Sequence, residues 1–275
     1  MSRHVIGLEE LLGKQLFDRD TSRLALTAAG EELLPVVSKC LDRLEQTMNA
    51  IRDDSVSSRV LRIHIPPSLL QQLFIPMLRD FHNEYPDIRI DVSSAHVTGL
   101  PAANIDMAIV YDRPNVDDRV TDLLWMVRVA PLCSPQTAIA GRGESLEAFL
   151  TSHDLLHVKL ENEARDLLWT TFARLHGFSI PTSSGLAFDT AIAAAQYAMA
   201  GEGIVLADID MFAQEIADGR LTMPFDAIAE DGYAYYLKLH ADDLADPAIA
   251  TFRSWLINRF AHFSRKGSIE KPDLI

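Results

Sequence analysis

Cysteine is scarce: Cys40 and Cys133 are the two in 275 residues. Neither belongs to a Cys-x-x-Cys pair or a Cys/His set with metal spacing, so a disulfide framework and a zinc site are both excluded and two reduced thiols are expected. Glycine and proline, at 13 each, are too few for collagen or low-complexity sequence. Long apolar runs are missing as well, and the stretch Ile192 to Ala200 around Gln196 falls well short of the roughly 20 residues that span a bilayer. The start, Met1-Ser2-Arg3-His4-Val5, lacks the basic and then apolar order of a secretory leader, so the expected location is the cytoplasm, with no membrane partner. Basic charge is in deficit: 25 Lys plus Arg against 39 Asp plus Glu leave a net charge of −14, which argues against broad attraction to nucleic acid or anionic lipid. Even residues 1–50 carry 6 basic and 8 acidic groups, so any DNA contact must come from a few placed residues.

Catalytic motifs are missing too. There is no Gly-x-Ser-x-Gly elbow, Walker loop or His-Glu-x-x-His, so no enzyme, cofactor or metal site is expected. Gly201-Glu202-Gly203 precedes a strand where a dinucleotide site needs a helix, and reads as a helix stop. His153 and His157 flank what looks like the beginning of a strand, which would not put both rings on one helical face. Asp112, Asp117, Asp118 and Asp122 lack calcium-loop register and are interleaved with Arg113 and Arg119, as in a solvated loop.

What is present is patterning. Apolar residues make up 48% of the chain, enough for about two domains at roughly 150 residues each. Val5, Leu8 and Leu11 or Leu12 fall at helical spacing before Gly13, with Gly7 on a small, polar opposite face. Leu16-Phe17 anchor a turn, and Arg23 to Thr27 alternates as a strand does, giving a helix and a small β wing. Thr27 is a good N-cap for a long helix whose Leu34, Val37, Leu41, Leu44, Met48 and Ile51 are spaced 3, 4, 3, 4, 3. That seam suits either a dimerising linker or a helix packed on its own domain, and Pro35 should kink it. After Asp53 to Ser58, strand and helix patterns alternate to the end, with Leu123 to Leu132 read as one strand. The alternation predicts parallel sheets covered by helices, in two lobes with a cleft.

Ser68 and Thr190 stand at strand-to-helix junctions, where free N–H groups and the helix dipole suit an anion; each also reads as a plain cap of its own helix. Pro66-Pro67 removes two donors from the first junction. Tyr235 and Tyr236 must point to opposite faces of a strand, one toward the cleft and one into the core.

Ser2-x-x-Val5-x-x-Leu8-Glu9-x-x-Leu12-Gly13, Leu16-Phe17-x-Arg19 and Leu26-Thr27-x-Ala29-Gly30-Glu31 closely resemble the LysR-type transcriptional regulators. Tyr85-Pro86-Asp87-Ile88, Ile105 to Ile109, Leu132-Cys133-Ser134-Pro135, Ala200 to Ile204 and Gly219-Arg220-Leu221 agree in order. Phe188-Asp189-Thr190, Pro224-Phe225 and Ala234 to Leu237 look most like the activators of glycine cleavage and β-lactamase induction. The resemblance implies an α/β chain: a partial winged helix-turn-helix at 1–27, a linker helix at 28–58 and a two-lobed effector domain of the periplasmic-binding-protein type 2 at 59–275. Lobe I is expected at about 59–132 and 239–275, and lobe II at about 133–238. It further implies operator DNA, a small-molecule effector, a second copy of the chain and RNA polymerase as partners, with no cofactor.

By the same resemblance Ser2 and Arg3 open the recognition helix, while Arg19, Arg23 and Thr27 belong to the wing. Ser68, Thr190 and Tyr235 match effector contacts, and Leu34, Val37, Leu41, Leu44 and Met48 dimerise. In the family the serine matching Ser2 follows a first helix and most of a second, and this chain starts there. The expectation is therefore either an upstream start codon or a shortened chain that dimerises, binds a small molecule and holds DNA poorly.

Overall fold

The computed structural model describes residues 3–18, 25–52, 60–94, 105–114 and 119–266. Helix α1 (Arg3–Leu12) ends at Gly13, whose φ of 65° is the left-handed conformation that glycine adopts without strain. Behind it, Glu9 is the one buried residue of a helix on which Val5 and Leu8 are half-buried, and its carboxylate accepts the N–H groups of Leu16 at 2.8 Å and Phe17 at 3.4 Å. That bond fixes the turn into a two-stranded antiparallel wing, β1 (Phe17–Asp18) with β2 (Ala25–Leu26).

Thr27 then starts α2 (Ala28–Arg52): its hydroxyl accepts the Gly30 N–H at 3.2 Å and donates to the Gln15 carbonyl at 2.7 Å. The cap and the wing are thus one structure. Gly30 closes the contact, because a Cβ there would lie 2.1 Å from the Leu16 carbonyl oxygen. Glycine to alanine inside a helix normally gains about 1 kcal/mol. Here the collision reverses the sign, and Gly30→Ala should destabilise the wing by about 1–3 kcal/mol, read as earlier loss of its amide protection in hydrogen exchange. Helix α2 runs as one unit through Pro35, so the expected kink does not interrupt it.

The remainder forms two lobes. In the first, β3 (Val60–His64) leads through α3 (Pro67–Leu69) and a π-helical turn (Leu70–Phe74) into α4 (Ile75–Glu84). Strands β4 (Arg89–Ser93), β5 (Met107–Asp112) and β6 (Val120–Met126) follow. The second lobe is built by β7 (Val129–Leu132), α5 (Pro135–Ala140), α6 (Leu146–Ser152), β8 (Leu155–Val158) and α7 (Leu167–His176), then β9 (Ala187–Phe188), α8 (Ala191–Met199), β10 (Ile204–Asp208) and α9 (Ala213–Ala217). The chain then returns to the first sheet as β11 (Ala234–Leu239), and a 3-10 turn (Ala241–Ala245) and α10 (Pro247–Lys266) complete it. Sheet orders are β4-β3-β5-β11-β6 and β7-β10-β8-β9.

Three expectations are corrected. Leu123 to Leu132 is not one strand: it breaks at Val127-Arg128, and its halves join different sheets. The lobes consequently divide between β6 and β7, and again ahead of β11, rather than at 132 and 238. The sheets are also mixed: β3 pairs in parallel with β4 and β5, and β8 with β9 and β10, but β7 and β11 run antiparallel to their neighbours. These are the strands reached by crossing between lobes rather than by a helical return, so the rule that keeps βαβ units parallel does not bind them. The two crossings lie side by side, with the Val127 N–H on the Tyr233 carbonyl and Val129 exchanging both backbone bonds with Ala229.

Packing fixes each lobe separately. Between the first sheet and its helices, Phe81 meets Phe252 edge-on at 4.9 Å and Trp125 stacks on Phe260 at 5.1 Å. In the second, Ala194, Ala195 and Ala198 are fully buried and let α8 lie close to β8, β9 and β10. Trp169 is buried beside them and donates its indole N–H to the Leu156 carbonyl at 2.9 Å.

Candidate functional site

Pro66 and Pro67 remove backbone donors at the end of β3, and α3 has no side-chain cap. Ser68, which sequence reasoning read either as an anion contact or as a cap of its own helix, does not cap that helix but reaches the other lobe: its hydroxyl accepts the Ile192 N–H, in the first turn of α8, at 3.2 Å. Thr190 caps that same helix from its own lobe, accepting the Ala193 N–H at 3.2 Å. Two hydroxyls from opposite sides of the cleft therefore satisfy one helix terminus, which would otherwise leave those N–H groups orphaned.

Beside this bridge lies a cavity of about 130 Å³, lined mostly by Val, Leu, Ala and Pro side chains with Ser68, Tyr111, Lys159, Asp208 and Tyr235 among them. Tyr235 faces this space; Tyr236 points to the other face of the sheet and packs on Ala108, Val110 and Ala234. The strand register sets Tyr235 opposite Tyr111 on β5 and Trp125 on β6, with ring centroids 5.2 Å and 4.4 Å away. Burial, first of all, pushes the phenols of Tyr111 and Tyr235 well above their ordinary range, so both stay protonated.

Asp208 ends β10 and is 6% exposed. One carboxylate oxygen accepts the Trp125 indole N–H from the first lobe at 3.0 Å, and the other accepts the Asp210 backbone N–H at 3.0 Å. Burial raises its pKa from an ordinary 3.8 to about 7, against the pull of those donors. Asp210 itself is held by both arms of Arg128, at 3.0 and 2.7 Å, on the crossing segment. Lys159 pairs with Asp189 at 2.9 Å on the exposed rim. Sequence reasoning missed Asp208, Tyr111 and Trp125. One signal was available: a single carboxylate closing the apolar run Ile204-Val205-Leu206-Ala207, at the carboxyl end of a strand where open α/β sheets bind ligands.

At the other end of the molecule, Arg3 opens α1 and is exposed, while Ser2, Arg19 and Arg23 lie outside the described residues. The proton of the Thr27 hydroxyl is engaged by Gln15 inside the wing, so its place is structural as well as superficial. Leu34, Val37, Leu41, Leu44 and Met48 are 37–59% exposed along α2. A packed helix would bury them, so within one chain the seam is uncovered.

The sites set aside stay apart. His153 follows α6 and His157 is buried in β8, bonded to the Ser184 carbonyl. Gly201 and Gly203 both have positive φ and turn α8 into β10. Asp122 is clamped by Arg253 and Asp112 pairs with Lys238, whereas Asp117 and Asp118 lie outside the described residues. Among the described residues no group of three or more potential ligands could hold a metal ion, and no helix is long and apolar enough to cross a membrane.

A helix and wing, a long helix with a bare apolar seam, and two hinged lobes around a cavity define a transcriptional regulator that senses a small molecule. The chain belongs to the LysR family: residues 54–261 match the LysR substrate binding domain, and residues 1–31 match the bacterial regulatory helix-turn-helix protein of the lysR family. It is 29% identical to the glycine cleavage system transcriptional activator of Escherichia coli strain K12, over 95% of this chain and 84% of that one. It is 31% identical to the transcriptional activator AmpR of Rhodobacter capsulatus, over 95% and 87%. The effector domain of AmpR from Pseudomonas aeruginosa superposes with a TM-score of 0.66 at 24% identity, covering 76% of this chain and 98% of that domain. LysR regulators bind DNA and small-molecule effectors and form oligomers, and they are not enzymes. These relatives favour a DNA-binding regulator over a stand-alone binding protein.

Proposed function

We propose that this regulator binds its effector between the lobes, with Ser68, Thr190 and Tyr235 as contacts, and passes the change in lobe closure to DNA through a dimer formed by α2. The bond from Ile192 to Ser68 carries the reading, because it is an interlobe link that a ligand in the adjacent cavity would break or replace. Arg3, with Ser2, Arg19, Arg23 and Thr27, meets operator DNA, the arginines chiefly on phosphates. The chain acts in the cytoplasm, where that DNA lies, and RNA polymerase is the further partner of a regulator that activates.

The test begins with genomic fragments that the purified chain retains, sequenced to give an operator for a reporter. Ser68→Ala and Thr190→Val should leave operator retardation intact and fix the reporter in one state across growth conditions that switch the parent. Normal switching by both variants would refute the site. The α2 seam is checked separately. Leu41→Glu combined with Leu44→Glu should convert the sedimenting species from dimer to monomer and weaken operator retardation at least about a hundredfold, since carboxylates on an a/d seam face each other across the pair. An unchanged dimer would place the interface elsewhere.

A further inference from the structure

We propose that the cleft selects a small organic ammonium ion, whose charged nitrogen is received by Asp208 beside the rings of Tyr111 and Tyr235; the proposal rests on the cleft being the effector site. Size comes first. A cavity of about 130 Å³ holds roughly four waters at about 30 Å³ each, which is room for an amine of about four carbons with the lobes as close as they stand. Lining comes second, since its Val, Leu, Ala and Pro side chains suit an apolar body.

Charge decides the rest. Asp208 is the one carboxylate among the described residues that line the cavity, and the donors bonded to it are the Trp125 indole and the backbone amides of Asp210 and Met211, all neutral. The guanidinium of Arg128, which feels the charge of Asp208, is committed to Asp210 in a two-point pair, and Lys159, on the cavity's edge, is paired with Asp189. A buried carboxylate whose bonded donors are all neutral, and whose neighbouring guanidinium is spent on another carboxylate, favours a ligand that brings a cation. Tyr111 and Tyr235 both line the cavity with ring centroids 5.2 Å apart, and aromatic rings attract an ammonium while offering little to an anion. A carboxylate ligand of the same shape would meet repulsion, and an alcohol would leave the charge of Asp208 unanswered.

Trp125 supplies the readout, because its indole N–H is bonded to the proposed receptor. The full chain, labelled with nitrogen-15, is titrated with isobutylammonium, isobutanol and isobutyrate, and the Trp125 indole resonance is followed after assignment with Trp125→Phe. Isobutylammonium should shift it at concentrations at least tenfold below the other two. The preference should fade as pH is lowered from about 8 to about 6, as Asp208 takes a proton, while Tyr111 and Tyr235, whose phenols burial holds well above their ordinary range, and Arg128, whose pKa the bond to Asp210 raises, do not change charge; Lys159 and Asp210 are the other charged groups at the site, each in an ion pair. Asp208→Asn should abolish it, and the pH series on the unaltered chain decides the matter should that variant not fold. A preference for isobutanol or isobutyrate, or an ammonium preference that survives acid or Asp208→Asn, overturns the proposal and leaves the cleft as a binding site. No response to any of the three also overturns the proposal, while the effector-cleft reading stands or falls separately on the switching of Ser68→Ala and Thr190→Val.

Discussion

Trp125→Ala should lower the stability of the two-lobed domain by about 3–5 kcal/mol, the range for removing a large buried aromatic side chain. The ring is 5% exposed and lies 4.4 Å from Tyr235 and 5.1 Å from Phe260, so its removal opens a hole between the first sheet and α10. The same change strips Asp208 of its donor from the opposite lobe. Trp125→Phe separates the two effects: it keeps most of the packing and deletes only the N–H, and should cost about 1.5–3 kcal/mol where the carboxylate is ionised. With roughly 2–4 °C per kcal/mol expected for a domain of this size, the alanine variant should melt roughly 6–20 °C below the parent in a calorimetric scan at about pH 8. The phenylalanine variant should fall clearly between them, and should approach the parent at about pH 5, where Asp208 carries a proton. Equal melting of the phenylalanine variant and the parent at both pH values would remove the indole–carboxylate bond from the energetics of lobe closure.

How much of this was legible beforehand depended on whether a residue's role is local. Helix starts and stops are local, so Thr27, Thr190 and Gly13 could be read: each ends or begins a helix by its own chemistry, and Gly13 stops α1 with φ 65°. The seam of α2 was legible because a heptad is periodic along one helix. Long-range pairing was not. Nothing within ten residues of Val127 says that β6 and β7 belong to different sheets, since both halves are apolar and the break is made by where β10 and β11 lie. Ser68 shows the same limit: its type announces a cap, but the helix it caps is 124 residues away in sequence. Asp208 and Trp125, 83 residues apart, carry no mutual signal in the chain and meet only because the lobes close. The cleft could thus be expected between lobes from pattern alone, and Ser68, Thr190 and Tyr235 could be proposed for it through family resemblance, while Asp208, on the cavity wall, could not.

That carboxylate gives the last large effect, which appears as a crossing of two pH curves. Asp208 has its pKa raised from 3.8 to about 7 on folding, so the folded state prefers it protonated. The sign follows: the contribution is fully present below about pH 4, where both states hold the proton, and is lost progressively as pH rises to about 7. Three or so pH units at about 1.4 kcal/mol each give a loss of about 4 kcal/mol, of which about 3 kcal/mol falls between pH 5 and pH 8. Asp208→Asn has no proton to lose and escapes this slope. It carries a fixed cost instead, because an amide nitrogen cannot accept the N–H of Trp125 or of Asp210, and one unmet donor costs about 1–3 kcal/mol. The variant should therefore unfold more easily than the parent near pH 5 and resist unfolding better near pH 8, in urea titrations at the two values. Parallel curves would show that Asp208 is no more burdened than a surface carboxylate. A crossing would show that Asp208 bears an unfavourable charge between the lobes near pH 8, the condition in which the proposed ammonium ligand has most to gain from binding beside it.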